Sequence, residues 1–163
     1  MKNQAGFTLI ELLLAMSLAA ILLGLTSFNL LGAQRSASLA TAEESFIADL
    51  KSQQIKAMNG INGTSGTTSF GIHFSSPADS TYTLFQGPNS ASPISTSLVT
   101  ADSNISFACT SGCNATNDII FSSVSGEVLG YLPATPPIIT VKNSADNSYK
   151  QIKLNAYGVI IGD

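Results

Sequence analysis

Few residues in this 163-residue chain combine type and spacing in a way that could do chemistry, and the most informative is one carboxylate. Glu11 is the single charged side chain between Phe7 and Leu31 (FTLIELLLAMSLAAILLGLTSFNLL), a run that also lacks proline. A charge in such surroundings costs up to about 3 kcal/mol at a bilayer centre, so Glu11 requires an opposite charge or a role of its own. The two cysteines, Cys109 and Cys113, enclose Thr-Ser-Gly. In an oxidising compartment they would form a disulfide contributing about 2 kcal/mol, free thiols being the alternative. Their spacing is not C-x-x-C, and no second pair or nearby histidine completes a metal site. The sole histidine, His73, alternates with Phe70, Ile72 and Phe74 and is expected on the surface face of a strand. Asp79, Asp102, Asp118 and Asp146 are scattered singly through loops. Asp146-Asn147 in a hairpin tip reads as a turn rather than a calcium ligand pair. No G-x-S-x-G, P-loop or G-x-G-x-x-G occurs. No enzyme activity, metal or cofactor is therefore expected.

The element that must carry Glu11 is a helix. As one, Phe7–Leu31 would extend about 37 Å, enough for a bilayer core of about 30 Å. An ordinary secretory signal peptide is the plainest alternative, but its apolar region needs only about 7–15 residues and does not explain an internal carboxylate. A plain membrane anchor leaves Glu11 equally unexplained. Beyond residue 33 the pattern turns amphipathic: Leu39, Ala42, Phe46 and Leu50 recur on one helical face, with Ala57 a heptad after Leu50. Asn59-Gly60 supplies a stop.

The stretch GFTLIELLLAMSLAAILLGL resembles the class III signal of type IV pilins and type II secretion pseudopilins, matching without a gap from Gly6 through Leu14. The resemblance implies cleavage after Gly6 by a prepilin peptidase, N-methylation of the new terminus at Phe7, and pairing of Glu11 with the free amine of a neighbouring subunit. It further implies a bacterial inner-membrane protein crossing once through residues 7–31, its head in the periplasm, later drawn into a pilus or pseudopilus. The implied partners are other pilins or pseudopilins, the peptidase, and an inner-membrane platform with its ATPase. Unlike many pilins, this helix contains no proline; the first is Pro77.

The expected fold class is α+β and pilin-like. A leader (1–6) precedes a long N-terminal helix (7–59), with a hydrophobic segment (7–31) and an amphipathic one (33–58). A β-rich head (60–163) follows, enough residues for one modest core. Strands are expected around Phe70–Phe74, Tyr82–Phe85 and Ser97–Thr100, and again at Ile105 and Phe107. Two hairpins would follow, Ile119–Phe121 with Val128–Leu132 and Ile138–Val141 with Tyr149–Leu154, before a turn at Asn155–Gly158. ADLKSQQIKAM, GIHFSS, IIFSSVSGEV and IKLNAYGVI resemble the GspH/FimT branch, which implies a minor structural subunit. Charged residues make up only 10% of the chain, and from Ser36 onward five lysines face nine acids. That balance argues against nucleic acid as a partner. It also disfavours a DNA-uptake minor pilin, since the tail YGVIIGD carries no basic residue.

Overall fold

The computed structural model describes residues 8–60, 68–75 and 79–161; within the helix, the side chains of 25–31 fall outside that description. One helix and seven strands are found there: α1 (Leu9–Met58), β1 (Phe70–His73), β2 (Thr81–Gln86), β3 (Ser95–Thr100), β4 (Ile105–Ser111), β5 (Asp118–Phe121), β6 (Ile138–Asn143) and β7 (Tyr149–Lys153). The strands form two antiparallel sheets, ordered β3-β2-β1-β5 and β4-β6-β7. The fold class is α+β. The chain divides into two compact units, Met1–Ser36 and Ala37–Asp163, so the second half of α1 belongs to the same unit as the sheets.

That second half forms a helix whose periodic apolar face finds cover. Leu39, Phe46, Leu50 and Ala57 are buried, Ala42 is half-buried, and Gln53 is buried among them. Phe46 is the pivot. Its ring lies 5.9 Å from Phe74, 5.2 Å from Tyr82 and 5.7 Å from Phe107, so one helical side chain touches residues of both sheets. Tyr82 and Phe107 meet edge-to-face at 4.9 Å. Around this cluster Ile72, Ile105, Ile119, Ile139, Val141 and Ile152 complete the core. The centre of the first sheet is closed on its other face as well. The Phe85 ring lies over Gly71, where a Cβ would sit 2.5 Å from both that ring and the Ile119 carbonyl, so glycine is required.

The β6–β7 hairpin forms as the turn residues Asn143–Ser148 suggest, with Ile138 opposite Lys153. The other expected hairpin, Ile119–Phe121 with Val128–Leu132, forms only as a short antiparallel bridge. β5 pairs with β1, and the returning chain adds only the Phe121–Val128 bridge, flanked by the bonds from the Ser122 amide to the Glu127 carbonyl and from the Leu129 amide to the Ile120 carbonyl, both at 2.8 Å. The reason is competition from the end of α1. The Val124 amide donates to the Ala57 carbonyl at 3.0 Å, and Gln54 Nε2 donates to the Gly126 carbonyl at 3.0 Å and the Tyr157 carbonyl at 2.6 Å. The loop thus gives the Ala57 carbonyl a second donor, beside the Gly60 amide at 3.3 Å, near the C-terminal end of the helix. This capture holds Val124 at φ 73°, a conformation that a β-branched residue adopts only under strain.

Candidate functional site

Glu11 sits in the first turn of α1. Thr8 caps that turn: its carbonyl accepts from the Glu11 and Leu12 amides at 3.1 and 3.2 Å, and its Oγ1 accepts from the Glu11 amide at 3.4 Å. Thr8-Leu9-Ile10-Glu11 has the T-x-x-E order of a capping box, which places the carboxylate where the helix dipole favours negative charge. Gly6 and Phe7, the expected cleavage and methylation positions, lie outside the described residues.

The large side chains on either side of Glu11 are apolar in every direction around the axis. Leu9, Ile10, Leu12, Leu13, Leu14, Met16, Leu18, Ile21 and Leu22 are all more than half exposed. A helix that is hydrophobic all round is one that becomes buried, in lipid or among other helices. Among the described residues no helix is long and apolar enough to cross a membrane. Phe7 and the side chains of 25–31, which the expected span includes, fall outside that description.

The head brings together a second polar group, which the sequence reading missed. His73 Nδ1 lies 2.7 Å from Oδ1 of the buried Asp118, directly across the β1–β5 register. Asp118 Oδ2 accepts from Thr116 Oγ1 at 2.6 Å and from the Ser90 amide at 3.1 Å, and Asn114 Oδ1 accepts from the Asp118 amide at 2.8 Å. Burial alone would raise the Asp118 carboxyl, but the bonds from Thr116, Ser90 and His73 outweigh it and hold it below its ordinary value. The group ties β1, β5 and the loop after β2 into one node. The Thr116 hydroxyl bonds the carboxylate rather than the imidazole, so among the described residues no hydroxyl is placed for the histidine to deprotonate. His73 is thus half-buried and partnered rather than a plain surface residue.

Cys109 and Cys113 are joined, their Cα atoms 6.3 Å apart, and the link closes the chain between β4 and the Asn114 turn. No group of three or more metal-ligating side chains occurs among the described residues. Asp146 Oδ1 accepts from the Ser148 amide and hydroxyl, as a turn residue does. On the helix side, Tyr82 donates its hydroxyl to Asp49 Oδ2 at 2.6 Å. Burial, and then the neighbouring Asp49, push that phenol well above its usual range, so it stays a donor.

Residues 1–27 match the model of the prokaryotic N-terminal methylation motif. No curated protein and no solved structure matches the chain. With that motif at the head of a long helix and antiparallel sheets behind it, the chain is type IV pilin-like in both its N-terminal signature and its fold class.

Proposed function

We propose that this chain is a structural subunit, stored in the bacterial inner membrane through residues 7–31 and assembled into a type II secretion pseudopilus or a type IV pilus. The supporting observation is the methylation motif over residues 1–27, coupled to a helix whose described apolar side chains face outward all round. In this reading a prepilin peptidase cuts after Gly6 and the Phe7 amine is methylated. Glu11 then accepts the amine of an adjacent subunit. Each charge neutralises the other inside an apolar bundle where either alone would be costly, and the pair sets the axial register. The helix dipole at the capped first turn favours the carboxylate before its partner arrives. The head carries the minor-subunit features of the GspH/FimT branch, faces the periplasm, and keeps Cys109–Cys113 oxidised there. Assembly draws on a membrane platform and its ATPase. N-terminal sequencing of the mature protein decides the matter: methyl-phenylalanine from position 7 supports the reading, whereas a start near Gln34 marks an ordinary secreted protein.

A further inference from the structure

Four strands border the two sheets, and three of them are closed off. β5 is bridged to Val128 and receives the Leu129 amide. β4 takes a bridge from Asp79, shifts register between Cys109 and Ser111, and is cross-linked to Cys113. β7 exposes Lys150 and Lys153, charges that blunt edge pairing. Among the described residues, β3 has none of these protections. Its sequence, Ser-Thr-Ser-Leu-Val-Thr, contains no charge and no proline, and it pairs with β2 over its whole length without a bulge. The bond from the Ala101 amide to the Ser80 carbonyl sets the phase of the ladder, so the amides and carbonyls of Thr96, Leu98 and Thr100 point away from β2. Leu98 and the preceding Ile94 are also exposed.

A second, independent observation lies beside that edge. On the face packed by α1, Ser95, Ser97 and Val99 of β3 border two pockets. One, of about 160 Å³, is lined by Gln53, Lys56, Ser95 and Ser97. The other, of about 350 Å³, is lined by Thr41, Ser45, Tyr82, Val99 and Phe107. Gln53 is only 3% exposed, and its Oε1 has no hydrogen-bond partner among the described residues. A buried carbonyl oxygen left this way calls for a donor.

We propose that β3 is a strand-addition site for an extended segment of a different protein chain. The segment bonds to the outward main-chain groups of Thr96, Leu98 and Thr100. It lowers a bulky apolar side chain into the larger pocket and, four residues away or about 13 Å along the strand, an amide that donates to Gln53 Oε1. Main-chain bonds supply the attachment and the pockets select the sequence. A second copy of β3 does not suit, because its groove-facing residues Ser95, Ser97 and Val99 are too short to fill the pocket or reach Gln53. The inference concerns the Ala37–Asp163 unit and does not rest on the N-terminal reading.

The test uses the full chain in detergent micelles and two synthetic peptides, TVLTVTQT and its reverse, covering both strand directions. One of the two is expected to bind and to slow hydrogen exchange at the amides of Thr96, Leu98 and Thr100. Leu98→Pro removes an outward N–H that β2 does not use. It should weaken binding about tenfold without changing the circular dichroism, and replacing the peptide's glutamine by leucine should do about the same. The proposal is overturned if millimolar peptide leaves those three amides unprotected, or if a folded Leu98→Pro variant binds as well as wild type. Self-association through β3 that Leu98→Pro abolishes would assign the edge to a second copy and overturn it too. Should that variant not fold, the exchange result on the wild-type chain decides.

Discussion

The two halves of α1 are alike in backbone and opposite in how their apolar side chains are used. From Leu9 to Leu22 the large side chains are exposed on all sides, and Glu11 shares their turn of helix. From Leu39 to Ala57 the buried apolar residues Leu39, Phe46, Leu50 and Ala57 share one face against the sheets, while Ile55 stays exposed. Helix propensity does not separate these stretches, since both are built mostly of good helix formers, Leu and Ala in the first and Ala, Glu, Gln and Lys in the second; the angular distribution of apolar residues does. A stripe commits a helix to a partner within its own unit, whereas an all-round apolar surface can be covered only from outside. The contrast predicts that substitutions in the first stretch act on assembly and leave the head intact, while those in the second act on folding.

The largest expected effect is therefore the cleanest division. Glu11→Gln should leave cleavage after Gly6 and the thermal unfolding of the head unchanged, yet nearly abolish incorporation into filaments. Removing one member of a desolvated ion pair costs about 3–5 kcal/mol. Normal incorporation of this variant, measured by shearing and immunoblotting, would remove the charge pair from the account. Its counterpart is Phe46→Ala. That change empties the space between both sheets and should lower head stability by about 3–5 kcal/mol in denaturant titration, while peptidase processing continues.

How much of this was legible beforehand follows the same division. The apolar run, its odd carboxylate and the 39-46-50-57 stripe are all local patterns, and the stripe is buried on the face its spacing suggests. The β6–β7 hairpin is local too, closed by turn residues between its strands. By contrast, β5 makes its full ladder with β1 and only a short bridge with the chain that follows it, because the Ser122–Gly126 loop is drawn to the end of α1 by Val124 and Gln54. No local signal announces that capture. The His73–Asp118 pair spans 45 positions and exists only once the β1–β5 register is set. Gln53 lies between Leu50 and Ala57 on the same helical face, yet its polar type gives no sign in the sequence that it is buried there.

Polar contacts sharpen the comparison at intermediate size. Tyr82→Phe deletes the hydroxyl that Asp49 accepts while keeping the ring against Phe46 and Phe107. A hydrogen bond to a charged group is worth about 1.5–3 kcal/mol, so the variant should lose about 2 kcal/mol and retain its sheet content. Asp118→Asn probes a node built without α1, and should cost about 1–2 kcal/mol. Its signature is pH. The native carboxyl titrates below its ordinary value of 3.8, so it contributes stability that is present above that value and lost as pH falls through the lower native one. Denaturant midpoints measured from pH 5 down to pH 2 should fall more steeply for wild type than for the asparagine variant. Parallel slopes would mean that the carboxylate's bonds contribute nothing.

The smallest expected effect tests whether burial alone holds the second half of α1. Lys150 Nζ of β7 lies 3.8 Å from Glu43 Oε2, the lysine half exposed and the glutamate largely covered. At that distance the pair makes no close hydrogen bond, and ordering two long side chains offsets most of the Coulomb attraction in a high-dielectric setting. Lys150→Gln should therefore change stability by no more than about 0.5 kcal/mol, and raising salt to about 0.5 M should leave the wild type as stable as before, within the same margin. A loss several times larger, vanishing in salt, would mean that charge rather than the Phe46 cluster clamps the helix to the second sheet. The stripe would then be a weaker reason for the internal docking of this half than the contrast with the first half makes it.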